Sequence, residues 1–320
     1  MRGQLGPSRG DARGRPRRLR RTAHAPAAMG ELAALATAFC WVGSALFFAD
    51  AGARVGSLPV NLLRLFVGFG FLAVLTTITR GAPLPLDASR HAWIWLSVSG
   101  LVGFTFGDLC LFRAFVDLGP RLSTLVMSLA PPIAALVGYA FLGERLTSFD
   151  LVAMGLTLGG VAIAVVARPK ITAPMPNRGR GLVLALLGAV GQGVGLVLSK
   201  HGMGDYDAFA STQIRVLAGA AGFGVVFTLF RVWPRVFRAT RDRAAMRSMT
   251  LGAIAGPFLG VSLSLLAVRH TETGVAAAIM ATTPVLILPF AVFVKRESVP
   301  LGGYLGAVIA IAGVALLMAR

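Results

Sequence analysis

Charge is scarce in this sequence. Asp, Glu, Lys and Arg make up 14% of its 320 residues, against 56% hydrophobic ones, and the mean hydropathy is +0.75. An ordinary soluble domain carries about 25% charged residues, so the shortage excludes one and points to an integral membrane protein. Cysteine is nearly absent as well. Cys40 and Cys110 each lie inside an apolar run, at no spacing that makes a metal site or a redox pair, and read as small packing residues. No GxxxxGKS or GxxxxGKT phosphate loop occurs, which leaves ion gradients, or a solute's own gradient, to drive any transport. Acidic clusters that would hold a metal-bound diphosphate, or a nucleophile beside a base, are missing from every apolar run. That weakens the alternative of a membrane-embedded enzyme acting on lipid or isoprenoid substrates. No cofactor and no metal are expected.

The sequence does hold ten runs long and apolar enough to cross a bilayer, which takes about 20 residues. They fall at about 32–49, 58–79, 92–115, 122–142, 149–167, 181–200, 208–230, 249–268, 274–294 and 300–319. Short connections leave no room for a separate catalytic domain, so function must sit inside the bundle. The fold class is therefore an all-α integral membrane protein.

The net charge of +18 is unevenly spread: residues 1–28 hold eight arginines and one aspartate. That stretch has no apolar core for a signal peptide and reads as a disordered basic tail, suited to anionic headgroups rather than to nucleic acid, which is not expected as a partner. Met29 opens "MGELAALATAF" at the start of the first run, so the tail is expected to be an upstream over-translation.

The chain repeats itself. Gly30, Ala34, Leu35, Ala38, Arg64 and Gly68 recur 151 positions later as Gly181, Ala185, Leu186, Ala189, Arg215 and Gly219. Further on the shift is 153: Gly103, Gly107, Ala114, Pro131 and Glu144 recur as Gly256, Gly260, Ala267, Pro284 and Glu297. Five spans are followed by five related ones. An odd number per repeat forces the second copy to enter from the opposite face, giving two inverted-topology five-helix repeats, an arrangement characteristic of secondary transporters.

Each half places a proline in its fourth span, a glutamate shortly after it and a Gly-Val-Ala in its fifth: "APPIAALVGYAFLGERL…GGVAIAV" and "TPVLILPFAVFVKRES…AGVALLM". With these features residues 29–320 resemble the EamA domain of the drug/metabolite transporter superfamily, more specifically in the first half than in the second, where Lys-Arg-Glu replaces Gly-Glu. The resemblance implies a first repeat at 29–168, a linker at 169–180 and a second repeat at 181–320. It also implies a ten-helix carrier in the cell (inner) membrane, exporting small metabolites such as amino acids by alternating access between its halves. A non-transporting scaffold is the remaining alternative, though it leaves the duplicated breaks without a purpose.

Pro131 and Pro284 remove a backbone donor in mid-helix and free the carbonyls of Met127 and Met280. At membrane depth a freed carbonyl is tolerated only against protein or a water-lined cavity, so the two prolines are expected to flank a pathway. Ser128, Thr282 and Thr283 can re-satisfy the opened backbone or meet a substrate. Asp108 is the one carboxylate well inside a predicted span and the candidate to carry a coupling proton; Arg113, five residues on, is poorly placed to pair with it, and its counterpart in the second half is Val261. Intramembrane polar groups are functional candidates by default, which adds Trp41, Asn61, Arg64, Gln192, Gln213 and Arg215, with Trp41 and Gln192 at equivalent positions and Arg64 and Arg215 shallow enough to snorkel. Lys200 and His270 are lesser candidates. Glu144 and Glu297 stand at span mouths as corner or gate residues, with Arg145 and Arg296 as neighbours for pairing. The first span offers Thr37, Cys40 and Ser44 instead of a central carboxylate, which argues against a cationic-drug antiporter. Glycines four apart, such as Gly103/Gly107, Gly155/Gly159, Gly191/Gly195 and Gly302/Gly306, are expected to be helix contacts.

Orientation is contradictory. The loops at 168–180 and 231–247 hold ten Lys and Arg on the face opposite Met29, which by the positive-inside rule puts both termini outside, whereas the resemblance implies both inside. The expectation follows the resemblance.

Overall fold

The structure is a computed structural model and describes residues 19–167, 177–293 and 299–319. Glu297, Arg296 and the first 18 residues lie outside them. Among the described residues ten helices are long and apolar enough to cross a membrane: Ala28–Val55, Ser57–Arg80, Arg90–Asp117, Leu122–Leu142, Ser148–Ala167, Arg178–Met203, Ala208–Leu229, Arg243–His270, Thr273–Phe290 and Leu301–Met318, here spans 1 to 10. Span 1 belongs to a longer helix that begins at Leu19, so residues 19–28, read as part of a disordered tail, continue it; their Arg and Ala are strong helix formers. Span 8 starts six residues before the predicted 249, because its first turns, "RAAMRS", are too polar for a hydropathy reading to include.

The two halves interlock. Span 1 packs on spans 8 and 9, and its counterpart, span 6, packs on spans 3 and 4, while 2 meets 7, 4 meets 9 and 5 meets 10. Small residues make these approaches possible. A Cβ placed on Gly191 of span 6 would stand 2.8 Å from the Cα of Gly107 in span 3, and one on Gly160 of span 5 would stand 2.6 Å from the Gly306 carbonyl oxygen in span 10. The expectation fails at Gly155 and Gly159, where an added Cβ would meet nothing within 4 Å.

Two features locate the site. Spans 4 and 9 are broken where the prolines were expected to break them, since proline cannot accept a place in a continuing hydrogen-bond ladder. In span 4 one helix ends at Met127 and the next runs Ala130–Leu142, with Pro131 in its first turn. Span 9 breaks after Met280 and restarts at Thr283, with Pro284 in the first turn. The Thr283 hydroxyl donates to the Met280 carbonyl at 2.9 Å, satisfying the group that Pro284 frees. A second break follows at Leu286, before Pro289; its counterpart in the first half is Leu136, so this one is not shared.

The second feature had no signal in the hydropathy pattern. Spans 3 and 8 each contain a seven-residue π-helical stretch, Leu101–Gly107 and Ile254–Gly260, again 153 positions apart. Pro257 interrupts the ladder in the second, but the first contains no proline; what both stretches share is a final glycine pressed against a neighbour, Gly107 on span 6 and Gly260 on Trp41. Such wide turns recur at functional sites. Each ends immediately before the position occupied by Asp108 in one half and Val261 in the other.

Candidate functional site

Between the two proline breaks lies a cavity of about 240 Å³. This is just below the roughly 300–1,000 Å³ of drug-sized pockets, a volume for a small metabolite. Met127, Ser128 and Pro131 form its wall on span 4, and Met280, Ala281, Thr283 and Pro284 form the equivalent wall on span 9. Trp41 and Gln192 line it from spans 1 and 6, at equivalent levels. Thr124 of span 4, Phe104 of span 3, Val261 and Ser264 of span 8 and Arg215 of span 7 add to the lining.

Two arginines at equivalent positions have different fates. Arg64 forms an ion pair with Asp108, and Asp108, 6% exposed, also accepts a hydrogen bond from Gln192 Nε2 at 3.0 Å. The same nitrogen donates to the Gly103 carbonyl at 3.1 Å. Asp108 and Arg64 thus stand behind Gln192 and do not line the cavity. Arg64 does not snorkel, and Arg113 pairs instead with Asp117 at 3.4 Å. Arg215 is 5% exposed and lines the cavity with its guanidinium carbon 5.1 Å from the centre of the Phe104 ring, within cation–π range. Its Nε has no hydrogen-bond partner, and it makes no ion pair among the described residues.

Residues 28–166 and 179–319 each match the EamA-like transporter family. The chain belongs to that family. It is a multi-pass membrane transporter of the drug/metabolite transporter superfamily, built from two EamA repeats in tandem. A solved crystal structure shares the fold at a TM-score of 0.74 with 20% sequence identity, covering 90% of this chain and 95% of that one. No curated protein matches the sequence.

At one end of this EamA bundle Glu144 joins three spans. Glu144 Oε1 accepts from Lys200 Nζ at 2.6 Å and from the Thr273 hydroxyl at 2.7 Å, and Oε2 accepts from the Thr273 amide at 2.9 Å. Lys200 also donates to the Thr271 carbonyl at 2.7 Å. Spans 4, 6 and 9 are joined in this way, through Lys200 and not through the expected neighbour Arg145. Leu196 and Ala277, one helical turn inward from Lys200 and Thr273, line the cavity, so this cluster lies about a turn beyond the cavity on both spans. The repeat counterpart of Lys200 is Ala49, and the same cation is therefore missing from the sequence at the other end.

Of the residues singled out in the EamA sequence, Trp41, Ser128, Pro131, Gln192, Arg215 and Pro284 come together around the cavity. Five do not. Arg64 and Asp108 pair behind it. Asn61 is fully buried within span 2, and neither of its amide atoms finds a partner among the described residues. Gln213 donates to the Pro83 carbonyl at 2.6 Å and so fastens the loop between spans 2 and 3. Thr282 turns back to the Ile279 carbonyl at 2.7 Å, leaving Thr283 to face the cavity. Ser264 and Phe104 were missed; each lies within about a turn of position 261 or 108, and the repeat alignment carried that signal.

Proposed function

We propose that the protein is a secondary carrier that exports a small metabolite such as an amino acid across the cell (inner) membrane, by rocking its two repeats about the central cavity. The observation that carries this reading is the pair of equivalent proline breaks facing each other across one small cavity, with irregular backbone where a solute could meet it. The lock at Glu144 supplies the second requirement of alternating access, a barrier at one end that can open. Its ion pair is partly buried, with side-chain exposures of 24% and 9%, and opening would exchange it for hydration of both charges.

Asp108 reads better as a positioning group than as the coupling carboxylate. It holds Gln192 in the cavity wall and neutralises Arg64. The direct experiment is flux into proteoliposomes from a panel of amino acids and related small metabolites, with and without a proton gradient. Saturable flux of at least one solute is expected, reduced at least tenfold when Ala281, which lines the cavity on span 9, is replaced by Phe. Flux of none, under any gradient, overturns the carrier reading.

A further inference from the structure

We propose that the cavity binds its solute through a carboxylate carried by the solute and held by Arg215. The proposal deepens the carrier reading and rests on it for passage, but not for binding.

The argument starts from the repeat. In the first half, the arginine of span 2 is neutralised by the residue that follows the π-helical stretch of span 3, Arg64 by Asp108. In the second half the equivalents are Arg215 and Val261. The arginine has been kept and its carboxylate replaced by an apolar side chain. Arginine stays protonated in any protein environment, so the second half holds a cation that the fold leaves uncompensated. Phe104 covers one face of it, and a ring quadrupole is weaker compensation than an anion.

An uncompensated buried charge is unfavourable, and a chain folding for stability alone would lose it. Here both Arg215 and Val261 line the cavity, so the vacancy left by the replaced carboxylate is the space a solute enters. A carboxylate there forms charge-assisted hydrogen bonds with the guanidinium, which offers a planar fork matched to two oxygens. The rest of the lining suits the remainder of a small organic acid: apolar wall from Val261, Met280 and Pro284, with the hydroxyls of Ser264 and Thr283 for a polar substituent. A cationic or neutral solute would leave Arg215 uncompensated.

The test is thermal unfolding of the purified protein in detergent with the twenty amino acids and short hydroxy and keto acids, beside the corresponding amides and amines, and sodium chloride as the inorganic control. At least one carboxylate should raise the unfolding temperature, its amide and amine should need at least tenfold higher concentration, and chloride should not substitute. Arg215→Gln should abolish that response while the ligand-free protein unfolds at the same or a higher temperature, a sign opposite to that of an arginine with a structural partner. If Arg215→Gln does not fold, Arg215→Lys keeps the charge and should retain the preference for acids with several-fold weaker binding. No response to any carboxylate, equal response to amides, equal response to chloride, or undiminished binding in both variants overturns the proposal. Binding without flux would overturn the carrier reading alone, and flux of amides or amines without preference for acids would overturn this inference alone.

Discussion

Asp108→Ala is expected to destabilise the protein by about 3 kcal/mol, because it strands the buried Arg64 guanidinium without its carboxylate. The figure sits at the low end for a broken buried pair, since the Arg64 side chain keeps 17% of its exposure. Removing both partners as Arg64→Leu/Asp108→Leu should recover most of the loss, giving a coupling of about 2 kcal/mol in the double-mutant cycle. Unfolding in detergent measures Asp108→Ala, and Asp108→Leu, Arg64→Leu and the double variant close the cycle. Asp108→Asn keeps a group for Gln192 to bond, and its flux should retain the pH profile of the unaltered protein. A flattened profile would return the carboxylate to a coupling role.

Gly160→Leu should be more damaging. A Cβ at that position would stand 2.6 Å from the Gly306 carbonyl and 2.8 Å from the Ala310 Cα, so it meets backbone that cannot turn aside. Overpacking costs about 1–3 kcal/mol where side chains can adjust, and here spans 5 and 10 must separate along their shared face. The expected result is loss of most monodisperse protein on size exclusion. The equivalent Gly313→Leu, whose Cβ would lie 2.5 Å from the Thr157 amide nitrogen, should do the same. Gly159→Leu, with nothing within 4 Å of its Cβ, should be neutral and serves as the control.

The helices and the repeat were legible in the sequence because each rests on a local or periodic signal: runs of about 20 apolar residues and identities at two constant shifts. The proline breaks were legible for the same reason. The partner of Asp108 was not, because Arg64 lies 44 positions away on another span and the only arginine weighed was on the same helix. The π-helical stretches were equally hidden, as "LVGFTFG" and "IAGPFLG" share glycine spacing but no residue that demands a wide turn. Gln213 and Asn61 show a third kind of blindness. Hydropathy marks a polar residue in a span as costly, but it cannot tell a cavity from the Pro83 carbonyl or from an enclosed helix face. Lys200, weighed only as a lesser candidate, proved to pair with Glu144, and its repeat counterpart Ala49 was the available clue.

The most direct measurement of the central claim, that one cavity is reached in turn from both faces of the membrane, is thiol labelling of Ala281→Cys in a Cys40→Ala/Cys110→Ala background. Ala281 lines the cavity on span 9. Membrane-impermeant maleimide applied to right-side-out and to inverted vesicles should label it from both faces, at rates that Glu144→Ala shifts in favour of the locked face by breaking the bond to Lys200. Labelling from one face alone, at a rate that Glu144→Ala leaves unchanged, would contradict the account.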